Sequence, residues 1–227
     1  MKHIGLIKEG GDSTMEQWEQ FYREKQVERT IDALKKNRFE ALYVPDGKAA
    51  VEEVMKRIPE GATVGLGGSV TLGQIGLIDA LKNRKIPFIQ PQVQAKTPEE
   101  RRELFRKCFS TDVFLSGTNA VTEDGKLFNI DATGNRVGAM FIGPSKTIVI
   151  TGVNKIVKNL EEAEKRVREW VAPQNAKRLK KKTPCVETGV CGDCSSPDRI
   201  CNIFVSLVKK PARTDVVVIL VGQTLGI

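Results

Sequence analysis

Four of the five cysteines stand in one stretch, CVETGVCGDCSSPDRIC, which places Cys185, Cys191, Cys194 and Cys201 within seventeen residues. Five, two and six residues separate them in turn. Two intervening residues, as between Cys191 and Cys194, let both sulfurs face one ion or cluster. Gly189 and Gly192 lie in the same stretch, where they permit tight turns that aim backbone N–H groups at sulfur. The chemistry on offer is electron transfer by an iron–sulfur cluster, with [4Fe–4S] the leading form, or fastening by zinc. Zinc favours four thiolates from two C-x-x-C pairs, and only one such pair is present; clusters accept less regular spacing, although this one matches neither common ferredoxin run. Alternatively, the thiols stay reduced or pair as structural disulfides. Cys108 lies among Leu104, Phe105 and Phe109, company that marks a small core residue rather than a ligand.

A second set of polar residues suits an anion. GLGGSVTLGQIGL, residues 65–77, ends a strand and opens a helix, where N–H groups around Gly67, Gly68, Ser69 and Thr71 can receive a negative charge. It lacks the Walker lysine and a full GxGxxG, and close packing with Ser69 or Thr71 as a cap explains it equally well. NIDATGNRV, residues 129–137, gathers Asn129, Asp131, Thr133, Gly134, Asn135 and Arg136. Arg136 suits bidentate binding of a carboxylate or phosphate, against the alternative of a hairpin turn closed by Asp and Asn. Asn119, Glu123 and Asp124 follow one strand, and Asn154 and Lys155 another. Loops at the carboxyl ends of parallel strands converge, so these segments are expected to share a cleft. Glu123 is the candidate general base or acyl acceptor, weighed against an exposed turn glutamate. The only histidine, His3, leaves little room for histidine catalysis.

Apolar spacing sets out the elements around these stretches. Ser13 with Glu16 makes a capping-box pattern, and Trp18, Phe21, Tyr22, Val27, Ile31 and Leu34 predict a long helix over about 14–36. A strand at 41–44, a helix capped by Asp46 to about 58 and a strand at 63–66 follow. Then come a helix over 71–81, a strand at 87–89, a helix opened by Thr97, Pro98 and Glu100, and a strand at 112–117. This alternation predicts an α/β domain whose mostly parallel sheet is covered by helices on both faces. A Glu-Asp-Gly turn after residue 117 predicts a β-hairpin insertion. A strand at 147–150, a helix over 160–170, a basic linker, the cysteine segment and strands at 203–208 and 215–221 complete the order. Residues 1–14 are expected to be a leader or flexible N-terminus, with one domain over 15–227 that includes the Cys-rich segment 183–202.

A chain of 227 residues suits one such domain, and 40% hydrophobic with 28% charged residues is ordinary globular composition. The longest apolar run, Val216 to Val221, is far too short to span a membrane, and no signal-peptide region opens the chain. A cytoplasmic protein is expected, where clustered cysteines serve metal or redox chemistry. The net charge of +8 is concentrated in Lys177, Arg178, Lys180, Lys181 and Lys182, and two Trp and two Tyr make no stacking platform, so nucleic acid is not the expected partner.

The segments GGSVTLGQIGL, SGTNAVTEDGKLFNIDATGNRVGAMFIGPSK, TGVNKIVKNLEEAEKRV, TPCVETGVCGDC and VVILVGQTLGI closely resemble the LUD-domain family of lactate-utilization proteins. The resemblance runs from about Met15 to Ile227 and implies a fold similar to the NagB/RpiA/CoA-transferase-like α/β domains. It also implies a link to oxidation of lactate or related 2-hydroxy acids, in assemblies with iron–sulfur partners. It supplies no agreed catalytic residues, and the four-cysteine segment departs from the family's shorter subunit type. The leading expectation is an iron–sulfur redox component for a small organic acid, binding an anionic acid or phosphate-bearing ligand, exchanging electrons with an iron–sulfur or flavin protein, and compatible with a homo-oligomer. The alternatives are an isomerase- or transferase-like enzyme for phosphate or CoA esters with structural zinc, and a zinc-held binding module.

Overall fold

A computed structural model describes residues 17–227. The leader over 1–14, the Ser13–Glu16 capping pattern and His3 lie outside the described residues.

In chain order the elements are α1 (Gln17–Lys36), β1 (Glu40–Val44), α2 (Gly47–Arg57), β2 (Val64–Leu66), α3 (Val70–Gln74), α4 (Leu77–Asn83), β3 (Phe88–Ile89), α5 (Pro91–Gln94) and α6 (Pro98–Cys108). Next are β4 (Val113–Ser116), β5 (Ala120–Thr122), β6 (Leu127–Asp131), α7 (Asn135–Ala139), β7 (Lys146–Gly152) and β8 (Ile156–Val157). The chain ends with α8 (Leu160–Arg166), α9 (Ala172–Arg178), α10 (Pro184–Thr188), β9 (Ile203–Leu207) and β10 (Asp215–Val221).

Six strands form one sheet in the order β1-β10-β7-β4-β2-β3, and every pairing in it is parallel. Its central strands are apolar on both faces, as a sheet covered on both sides requires. Along β10, Val216, Val218 and Leu220 join the core beneath α1, while Val217, Ile219 and Val221 join the core beneath α2 and α4. Each such buried side chain contributes about 1.5–3 kcal/mol relative to exposure. Helix starts follow local chemistry: Asp46 accepts from the Ala49 N–H at 2.8 Å, and Thr97 from the Glu100 N–H at 3.1 Å.

One expectation is extended and two need correction. The hairpin β5–β6 is part of a second sheet of four strands, ordered β8-β5-β6-β9, because β9 pairs antiparallel with β6 instead of joining the main sheet. The helix expected over 71–81 is broken at Gly76, which takes φ +72°, so α3 has only five residues and little macrodipole to offer an anion. The helix begun by α8 does not stop at Trp170 but runs through a π-helical turn, Val167–Val171, into α9. The wider turn accommodates Pro173, which has no N–H to donate. Lys177 and Arg178 therefore close a helix rather than lie in a linker.

Candidate functional site

Parallel pairing brings the ends of β2, β4, β7 and β10 to one edge of the main sheet, and the loops that leave them pack together there. Gly67 and Gly117 let them approach: a Cβ at Gly67 would stand 2.9 Å from Ser116 Oγ, and one at Gly117 would stand 2.9 Å from Ser69 Oγ. Gly68 lies against Gln92 in the same way, and the Ser69 hydroxyl caps α3 by accepting from the Leu72 N–H at 3.4 Å. In this arrangement the glycine stretch makes the close contacts and the cap that were the alternative to anion binding.

Arg136 is the hub of the loop after β4. It donates from Nη1 to Asn129 Oδ1 at 2.6 Å and Gly117 O at 3.3 Å, and from Nη2 to Asn119 Oδ1 at 3.1 Å and Ile130 O at 2.8 Å. Its Nε faces Asp131 Oδ2 at 3.5 Å, and both side chains are nearly buried. Burial pulls the guanidinium below its ordinary value, with Asp131 opposing. Arg136 is therefore a structural clamp whose donors already have partners, leaving none for a ligand in this arrangement. Asp131 Oδ1 also accepts from the Thr133 and Gly134 N–H groups at 3.1 and 3.0 Å, and Gly134 takes φ +83°. Thr133 in turn donates to Asn135. Asp131, Thr133, Gly134 and Asn135 thus build the turn that presents Arg136. Asn129 Nδ2 is buried without a hydrogen-bond partner among the described residues.

Lys155 stands in the same cluster and is 5% exposed. Its Nζ donates to Thr118 O at 3.3 Å and Thr71 Oγ1 at 3.4 Å, and no carboxylate pairs with it among the described residues. Burial, then the charges of Arg166 and Arg136, pull the amine down to about 7. Arg166 reaches in from α8, donating Nη1 to Asn119 O at 2.9 Å. The C-terminal loop covers the amine: Leu225 N–H donates to Asn154 Oδ1 at 3.0 Å and Gly226 N–H to Gln74 Oε1 at 2.6 Å. Sequence reasoning missed Arg166, Thr118 and this covering loop. Nothing local marks Arg166 among the other charges of its helix.

Glu123 does not join this cluster. It accepts from Gln26 Nε2 at 3.0 Å and from Arg29 Nη2 at 2.9 Å, tethering the hairpin to α1. Burial opposes its ionisation, but those bonds and the charges of Arg29 and Lys158 outweigh it and hold the carboxyl below the usual range. Asp124 likewise pairs within its turn, with Lys126 and Thr122.

The second centre is the cysteine segment, docked on the π-helical turn and α9. Cys185, Cys191, Cys194 and Cys201 all line one pocket, together with Ala172, Ala176 and Ile200. All are free thiols, as is Cys108. Among the described residues no three His, Cys, Asp or Glu side chains are grouped closely enough to hold a metal ion. Burial, with the neighbouring Cys191, Cys185 and Cys194 and against the pull of Arg199, pushes the Cys201 thiol up to about 11. Arg199, which sequence reasoning also missed, ties the loop: Nη1 donates to Cys194 O, Nε to Cys201 O at 3.1 Å and Nη2 to Asp193 Oδ1 at 2.7 Å. The left-handed turn inside C-x-x-C falls on Asp193, at φ +48°, and Gly192 needs no special conformation. Gly189, at φ +73°, does supply the expected tight turn by ending α10. Cys108 is 2% exposed, and burial pushes its thiol to about 11, as a core residue. The two centres are joined, since Asn202 N–H donates to Asp131 O at 3.1 Å where β9 meets β6.

Among solved structures, a DUF162 family protein from Deinococcus radiodurans is similar, with a TM-score of 0.53 at 13% identity over 88% of this chain and 98% of that one. At that identity the likeness concerns the fold alone. No curated protein matches the chain. The LUD domain matches residues 27–221, a span that takes in both centres, and this chain therefore belongs to the LUD domain family, which is associated with lactate utilization.

Proposed function

We propose that this protein is an iron–sulfur redox component that serves oxidation of lactate or a related small organic acid, with Cys185, Cys191, Cys194 and Cys201 holding a cluster of the [4Fe–4S] type. One observation carries the proposal: four thiols scattered over α10 and the loop before β9 line a single pocket. The donor set is all sulfur, which suits iron–sulfur ligation, and a four-iron cage takes its sulfur ligands on separate irons, farther apart than the single-ion grouping that is absent among the described residues. Asp193 also borders the pocket, but Arg199 and Arg168 hold its carboxylate at 2.7 and 3.2 Å. A bound cluster supplies one-electron transfer.

The chain's own residues prepare that pocket. Ala172, Ala176 and Ile200 give it an apolar wall that limits water. Arg199 puts positive charge beside Cys201, which favours its thiolate against the cost of burial. A Cys201 thiol near 11 is protonated at neutral pH, so loading must release protons and is favoured as pH rises. A reducing cytoplasm suits these free thiols, and a flavin or iron–sulfur protein is the partner that one-electron chemistry calls for.

Anaerobic purification followed by iron, sulfide and zinc analysis with visible absorption tests the proposal. About four irons per chain, with absorption that bleaches on reduction, is the expected result. Stoichiometric zinc without iron, in protein never exposed to oxygen, overturns it. Cys191→Ser and Cys194→Ser are each expected to abolish stable loading, whereas Cys108→Ser leaves it intact.

A further inference from the structure

Lys155 is a buried amine with no carboxylate paired to it among the described residues, which a fold does not maintain for stability. An unpaired ammonium in the interior is costly, and the usual solution is a neighbouring carboxylate. Here the nearest charges are positive. Arg136 is fully engaged by its own loop, while Arg166 donates only from Nη1, to Asn119 O, and leaves the rest of its planar fork unbonded among the described residues. The amine itself has two long bonds, to Thr118 O and the Thr71 hydroxyl, and one donor site over. Gly226, at φ +70°, lies directly on it: a Cβ there would stand 2.6 Å from both Lys155 Nζ and Thr71 Oγ1. The C-terminal loop is thus a cover fitted to the amine, held by bonds to Asn154 and Gln74, by Gln223 Oε1 accepting from the Gly47 N–H, and by Leu225 in the core beneath α2 and α4.

We propose that Lys155 is a nucleophile that forms a reversible imine with a small oxo acid, whose carboxylate is received by Arg166. A neutral amine calls for an electrophilic carbonyl, and a guanidinium beside it for a carboxylate; a compact molecule with both is the class these two groups would take once the cover moves. A lysine that is desolvated and set beside other cations is in the state that activates amines for this chemistry. The Nζ lone pair attacks the carbonyl carbon, forming a C–N bond as the carbonyl electron pair moves to oxygen. That oxygen takes the two protons given up by the amine nitrogen and leaves as water, and the C=N bond forms with no net gain or loss of electrons. The Thr71 hydroxyl is within reach to relay a proton. The C-terminal loop lifts to admit the acid and then excludes water, which would hydrolyse the imine.

The inference is independent of the cysteine centre, because its readout is a mass on one lysine whatever the metal content. The full chain is incubated with pyruvate and a borohydride reductant, digested, and each lysine peptide is quantified. Lys155 is expected to carry the reduced adduct at least about ten-fold above the mean of the surface lysines. Its labelling should level off above about pH 7. Acetaldehyde, which has no carboxylate, should show no preference for Lys155, and lactate, which has no carbonyl, should compete without labelling. Arg166→Gln should remove the preference for pyruvate while acetaldehyde labelling stays as in the parent. Labelling of Lys155 no greater than that of surface lysines, or equal preference with acetaldehyde, overturns the proposal.

Discussion

The buried state of Lys155 has a consequence for stability that needs no ligand to measure. In the unfolded chain its amine titrates near 10.5, and in the folded protein burial with Arg166 and Arg136 brings it to about 7. Between those values the unfolded state binds the extra proton, so its contribution to stability rises with pH. It is least favourable below pH 7, where both states are charged, and the penalty is relieved as the folded amine deprotonates. The full shift corresponds to about 5 kcal/mol, of which roughly 4 kcal/mol falls between pH 7 and pH 10. This is a ceiling, because water entry relieves part of a buried charge. Lys155→Met keeps the length of the side chain and removes the titration. The assay is urea unfolding of parent and variant across that range, taking the difference so that every other titrating group cancels. The variant is expected to be the more stable protein at about pH 6, with its advantage shrinking steadily towards pH 10. A difference that changes by less than about 1 kcal/mol over the range refutes the claim that the amine is buried and unpaired.

Arg136→Met leaves Asp131 and the acceptors on Asn129, Asn119, Gly117 and Ile130 without their shared donor. A loss of about 3–5 kcal/mol in urea unfolding is expected, with Arg136→Lys restoring only part of it. Glu123→Gln should cost no more than about 1 kcal/mol, since Arg29 is half exposed, and the parent's advantage should vanish as pH falls through the carboxylate range, a result read by thermal melts at several pH values. Gly125→Ala should cost at least about 2 kcal/mol by the same melts, because Gly125 takes φ +80° and a Cβ there would lie 2.5 Å from Ala33 O and Leu34 N in the backbone of α1.

Parallel strands covered on both faces must be apolar along their whole length, so β4, β7 and β10 stand out as runs, and Asp46 and Thr97 announce the helices they cap. The second sheet was not legible, because it depends on Asp131 meeting Ile203, a pairing between segments remote in the chain with no local signal at either end. The break at Gly76 and the π-helical turn before Pro173 escaped for a related reason. Apolar spacing registers a helical stretch but not a change of axis within it.

The candidate site divides along the same line. Residue types and spacing alone raised the expectation that four thiols from Cys185 to Cys201 serve an inorganic centre, since cysteine reactivity belongs to the side chain wherever it lies. Asn119, Arg136 and Lys155 could likewise be named from their positions after strands. Whether each faces a ligand or its own neighbours was decided only in three dimensions. Arg136 and Lys155 are both basic side chains, yet one is surrounded by acceptors while the other has two long bonds and two cations nearby. That difference comes from α8 and the C-terminal loop closing over the sheet edge, and desolvation with nearby charge depends on the whole fold rather than on any segment of the chain.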